Sequence, residues 1–232
     1  TDDYYKLISR RDWELAPGIN EAEIILNNEA GTLRQVTHVV EVDLNNPYTK
    51  VVPGYKGMIP TPGQYGIQSV SEQAAFAEAN GYGNVVAATN CSLSWYNDAY
   101  YKANPHLVGE PLGYMILDGV QYTNSRGQSA LCKSVVIINA NERNGEPRPA
   151  DVPRVTIRST SDPITGWEEQ AIPVNFEFLV KDTDGDGIGN NLYLSQKNHT
   201  SGFESRTFVG VKADGTLVVA VVDGRQSPYS AG

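Results

Sequence analysis

The sequence predicts an α+β fold, strand-rich, with mixed sheets and few helices. Three observations carry this. Short Val-rich runs recur along the chain, and 22 Gly and 13 Pro punctuate them with turns. Only one segment carries a full helix-start signal. The last runs, near the C-terminus, are joined by a short Asp-Gly turn, the mark of an antiparallel hairpin.

Taken in order, residues 1–20 read as a lead-in ending at Ala16-Pro17-Gly18, and residues 21–232 as one domain. Strands are expected at Glu21–Leu26 and Val36–Leu44, the latter closed by Asn45-Asn46-Pro47. Residues 53–67 hold several Gly and Pro and read as a long loop. Ser69 and Glu72 form a capping-box pair that starts a helix, with Val70, Ala74 and Ala77 on one face and Gly81 at its end. Val85–Thr89 reads as a short buried strand, followed by a Tyr- and Asn-rich loop over 96–110. Pro111–Leu117 is a strand meeting a turn at Asp118-Gly119, and Ser134–Asn139 is another. Residues 140–152 are a polar, Pro-rich surface excursion. Strands follow at Val155–Ser159 and Val174–Val180. Arg206–Lys212 and Thr216–Val222 then flank Ala213-Asp214-Gly215 as a hairpin. The unbroken run Leu217–Val222 reads as a strand covered on both faces. It ends abruptly in Asp223-Gly224-Arg225-Gln226, with Gly224 free to turn the backbone and admit a ligand.

Composition removes several function classes. A net charge of −9 excludes a nucleic-acid partner, which needs a basic stripe. No segment has the length of a membrane span. The first residues lack an apolar signal core, so any export signal would already be gone. Cys91 and Cys132 suit either one disulfide in an exported protein or two buried thiols. Thirteen Tyr against five Phe suggest polar-tipped aromatic surfaces, and Asn198-His199-Thr200 is a glycosylation sequon. His38, His106 and His199 show no metal spacing and read as structural or surface residues. Asp182, Asp184 and Asp186 alternate ahead of Gly187 like the start of a calcium loop, but Tyr193 stands where an EF-hand has Glu. The run over 182–191 is thus either a Ca2+ site or an acidic solvated turn.

Several pieces, in this order, resemble one family. They are Ala16-Pro17-Gly18-Ile19, Val42-Asp43-Leu44, the helix followed by Val85-Val86-Ala87-Ala88-Thr89-Asn90, Pro111-Leu112-Gly113-Tyr114, Arg206-Thr207-Phe208-Val209-Gly210-Val211, Asp214-Gly215, and Val222-Asp223-Gly224-Arg225-Gln226. The chain is similar to the phosphodiester glycosidases, which release a sugar such as N-acetylglucosamine from a phosphodiester-linked glycan. Two departures stand out. The family's Asn-Gly-Gly with two aromatics is here Asn90-Cys91-Ser92-Leu93-Ser94-Trp95. The family's C-terminal helix and glycine-rich strand end are lacking in this chain, which implies truncation or a separate, associated C-terminal fragment that completes the domain.

The resemblance implies hydrolysis at an anomeric carbon with a phosphate monoester leaving. That group departs as a stable anion, so the site needs positive charge around it more than a strong acid. Arg206 and Arg225 suit the phosphate, and Asp223 suits the base or nucleophile, with Asp118 and Glu204 behind it. Asn90 completes the catalytic set. Gly113, Thr207, Gly224, Gln226 and Asp118 are the expected substrate contacts, and Asp214 reads as turn chemistry. No cofactor is required. The expected partner is a glycan or sugar phosphate, and the expected location is secreted, cell-surface, periplasmic or lumenal. The rival reading is a non-catalytic carbohydrate-binding or envelope protein, or a self-cleaving precursor.

Overall fold

The computed structural model describes residues 5–54, 65–91, 99–111, 115–123, 133–159, 162, 164–174, 180–181, 184, 191–192 and 205–230. In chain order these residues form β1 (Lys6–Ala16), β2 (Ile19–Asn27), β3 (Arg34–Val42), α1 (Val70–Ala79), α2 (Ala99–Ala103), β4 (Met115–Leu117) and β5 (Val120–Thr123). There follow β6 (Lys133–Ile137), β7 (Glu142–Arg143), β8 (Glu146–Pro147), β9 (Val155–Ser159), β10 (Gln170–Pro173), β11 (Val180–Lys181), β12 (Asn191–Leu192), β13 (Arg206–Val211) and β14 (Leu217–Asp223). The α+β, strand-dominant expectation holds. No helix of the described residues is long and apolar enough to cross a membrane.

The chain divides into two compact units, one of residues 1–49 with 178–232, the other of residues 50–177. The first is built on a five-stranded antiparallel sheet in the order β1-β2-β3-β14-β13. β1 occupies most of the segment read as a lead-in. Pro17-Gly18 closes the β1–β2 hairpin, and glycine is required there. Gly18 sits at φ 81°, and a Cβ would meet Asn46 Cβ at 2.8 Å. The β13–β14 hairpin closes as predicted. Thr216 N–H donates to Asp214 Oδ1 at 2.9 Å, which holds the Asp214 carboxyl below its usual range.

β14 departs from expectation in one respect. Leu217 is buried, but Val218 through Asp223 are only half-buried. Both lateral neighbours, β3 and β13, are present along its length. Ladder pairing satisfies the backbone but leaves the two side-chain faces for other elements to cover, and here that cover is partial.

The second unit centres on another five-stranded antiparallel sheet, β5-β4-β10-β6-β9. Its core is dry. Ile116, Val136 and Ala171 pack together at 2%, 1% and 0% exposure. α1 starts with the predicted capping box, in which Ser69 Oγ accepts from Glu72 N–H and Glu72 accepts from Ser69 N–H. It ends in a Schellman pair, Tyr82 N–H to Ala77 O and Gly81 N–H to Glu78 O, with Gly81 at φ 83°.

Two expectations in this unit are corrected. Val85–Thr89 is an extended, mostly exposed segment rather than a buried strand. Within it, Val85 N–H donates to Glu78 Oε1. Apolar composition alone cannot supply a ladder partner. The 96–110 loop contains α2 and a short 3-10 turn, and Tyr101 within α2 is fully buried with its hydroxyl on Glu110. The 140–152 excursion contains the β7–β8 hairpin, turned by Asn144 at φ 54° and Gly145 at φ 81°. Of the Val174–Val180 strand, residues 175–179 lie outside the described residues.

Candidate active site

The end of β14 is held by side chains from the chain's own return. Asp223 pairs with Val36 as the last rung against β3. Ser230 folds back onto this same rung. Its hydroxyl donates to Asp223 O and accepts from Val36 N–H. Ser230 is fully buried. Gly224 N–H donates to Ser205 Oγ at 3.1 Å, which ties the turn to the start of β13.

The left-handed residue of the turn is Arg225, at φ 59°. For a side chain with a Cβ that conformation is uncommon and needs surrounding support. The support is local. Gln226 and Ser230 form a bridge, and Gln226 O accepts from Tyr229 N–H at 2.7 Å. Ser227-Pro228 is a cis peptide bond. Arg34 Nη1 donates to Tyr229 O, and the Arg34 guanidinium lies 5.0 Å from the Tyr229 ring centre. Ser205, Ser230, Tyr229 and Arg34 were not singled out in the sequence. Nothing local marks them, because each acts on a distant rung.

Strand register decides which predicted residues share a face. Arg206 pairs with Val222, and Thr207 with Val221. Successive residues of a strand point to opposite sides. Arg206 therefore lies on the face of Val222, Ala220 and Phe208. Asp223 lies on the other face, with Val221, Thr207 and Val36. The expected meeting of Arg206 with Asp223 in one hollow is corrected by this register. Arg206 instead donates from Nη1 to Ser205 O at 3.1 Å, next to the Ser205–Gly224 clasp. Arg225 and Gln226 are exposed beyond the strand end.

The face of Asp223 carries a residue that sequence reading set aside. His38 pairs with Val221 and with Glu23 across its two neighbours. It is the diagonal neighbour of Asp223, a relation that places Cα atoms roughly 7–8 Å apart. Its Nδ1 lies 3.0 Å from Glu21 Oε1. The strand that forms β3 was legible in the sequence, but its register against β14 was not.

The remaining candidates belong to the second unit. Asn90 is exposed, and Thr89 Oγ1 approaches its carbonyl at 3.4 Å. Next to it, Cys91 is a free thiol, pushed up to about 11 by burial. Asp118, at φ 49°, opens the two-residue β4–β5 turn with Gly119 at φ 79°. Its carboxylate accepts from Gln170 Nε2 at 2.8 Å and from Tyr82 Oη at 3.1 Å. Burial, with help from Asp118, raises the Tyr82 hydroxyl. Gly113, Cys132 and Glu204 lie outside the described residues. So do Asp182 and Asp186, while Asp184 is exposed. β11 and β12 pair Val180 with Leu192 and Lys181 with Asn191 in a short antiparallel ladder.

Among the described residues the most strongly held acid is Glu168, also absent from the predicted set. It is 2% exposed. Burial alone would raise its carboxyl. Against that, it accepts from Thr165 N–H and Oγ1, from Gly166 N–H at 2.7 Å and from Arg158 Nη1 at 2.6 Å, and its pKa falls to about 2. Every acceptor is engaged, so it fixes the 165–168 loop.

A carboxylate and a hydroxyl on one sheet face, followed by an exposed guanidinium on a braced turn, can grip an oxyanion and direct water at a neighbouring carbon. The family model for phosphodiester glycosidase matches residues 83–232, more than half of the chain and including this strand end. The protein belongs to the phosphodiester glycosidase family. A comparison with curated proteins gives no match.

Proposed function

We propose that the protein hydrolyses the bond between a sugar, N-acetylglucosamine being the first candidate, and the phosphate of a phosphodiester-linked glycan outside the cytoplasm. In this reading Asp223 directs water at the anomeric carbon or attacks it directly. Arg225 neutralises the departing phosphate monoester, and Thr207 and Gln226 contact the substrate. Gly224 lets it approach. Arg206 acts as a positioning residue through Ser205 rather than as a second phosphate clamp.

The observation that carries the reading is the braced turn. An arginine held left-handed two residues after a strand-terminal acid lies within the residues that match the family. A site of this kind works by preorganisation, so its backbone has to be fixed before substrate arrives.

Turnover of a phosphate-linked N-acetylglucosamine by the wild type, compared with Asp223→Asn and Arg225→Ala, is the test. Each substitution is expected to lower kcat/KM by about 100-fold or more, in line with loss of a catalytic acid–base group or charge clamp. Arg206→Ala should lower it less. Saturable binding with no turnover would instead make the protein a carbohydrate binder.

A further inference from the structure

We propose that the second unit carries an anionic-sugar subsite in the cavity bounded by Arg143, Asn144, Glu146, Thr165, Gly166 and Trp167. It shares the glycan class with the proposed function but none of its residues. The cavity holds about 320 Å³, within the range of small-molecule sites. One wall is the tight β7–β8 hairpin, and the other is the 165–167 loop that Glu168 locks in place. Both walls are formed before any ligand arrives.

The ligand class follows from Arg143. Acids outnumber bases 27 to 18 in this chain, yet among the described residues this half-buried guanidinium forms no ion pair. Its Nη1 is buried without a hydrogen-bond partner. Its Nη2 rests over Gly119, 3.2 Å from where a Cβ would stand, so the absence of a side chain there gives it room. An uncompensated buried cation is costly, and an anion held beside this guanidinium would offset that cost. Trp167 is half-buried and supplies the aromatic wall on which a pyranose face packs. Asn144 and Glu146 are exposed at the rim, one a donor and acceptor, the other an acceptor for sugar hydroxyls. A ring carrying a phosphate or carboxylate fits this set, with its acid at Arg143 and its hydroxyls at the rim.

The test is binding by calorimetry and ligand-observed NMR, using N-acetylglucosamine 1-phosphate, glucuronic acid, N-acetylglucosamine and inorganic phosphate as probes. An Asp223→Asn background prevents turnover. Both anionic sugars should bind saturably, and neutral N-acetylglucosamine at least tenfold more weakly. Arg143→Ala should remove that preference, Arg143→Lys should retain part of it, and Trp167→Ala should weaken all the sugars. Thermal melting of each variant establishes that it is folded. Indifference of binding to both Arg143 variants in folded protein overturns the proposal. So does inorganic phosphate binding as well as the sugar phosphate, or no saturation by the anionic sugars at millimolar concentration. Loss of the catalytic reading leaves this binding intact, and loss of this binding leaves turnover intact, so the two fail separately.

Discussion

β6 and β14 read alike in sequence and differ in what surrounds them. Each lies inside a five-stranded antiparallel sheet with a partner on both sides. Each is a run of β-branched residues. In β6, Ser134 through Ile137 are at most 2% exposed. In β14, only Leu217 is buried. β6 is a core strand whose value is packing. β14 is a partly uncovered strand whose end carries polar residues on a turn braced by side chains. Apolar character in a strand thus reports pairing potential, while burial is decided by what lies over its faces.

That contrast can be broken by experiment. The largest expected effect is on β14, and it is functional. Asp223→Asn should lower turnover by about 100-fold or more while shifting the melting temperature little. A variant that unfolds instead would make β14 a core strand like β6.

Next comes Glu168, which locks a loop of the unit built around β6. Its carboxyl stands near 2 against an ordinary 4.5. A depressed folded-state pKa contributes stability that is fully present above about pH 4.5. That contribution is lost as pH falls from there toward 2, a difference on the order of 3 kcal/mol. Glu168→Gln should remove this part of the acid-unfolding profile and cost about 3–5 kcal/mol at neutral pH, because Arg158 loses its partner. Denaturant unfolding across pH measures both.

Paired valine truncations address the strands directly. Val136→Ala, at 1% exposure, should cost about 2–3 kcal/mol. Val219→Ala, half-buried in β14, should cost about 1 kcal/mol or less. Equal costs would erase the distinction.

A smaller effect tests the brace. Ser230→Ala leaves the buried Val36 N–H without its acceptor and should cost about 1–2 kcal/mol. If the brace sets Arg225, kcat should fall with it. A stability loss with unchanged kcat would limit Ser230 to a structural role.

Much of the local structure was legible in the sequence because its signals are local. Ser69 and Glu72 act within one helical turn, Asp214-Gly215 within one hairpin, and Gly81 at one helix end, so each needs only its neighbours. The strands that form β2, β3, β9, β13 and β14 were marked by their own apolar, β-branched runs. Val85–Thr89 misled for the converse reason. Its residues favour a strand, but a strand exists only with a partner, and the sequence does not name one.

The chain's order of residues alone determined the strand-dominant α+β class, the capped helix, the final hairpin and the family motif around Asp223. Tertiary structure decided the rest. Register set Arg206 and Asp223 on opposite faces and brought His38 to the acid's side. Folding back of the chain gave Ser230 and Arg34 their roles at that turn. Glu168 found its donors, and Arg143 formed no ion pair among the described residues. These outcomes depend on contacts between positions far apart in sequence. Pairing partners, faces and charge balance are properties of assembled elements, and no window of sequence contains them.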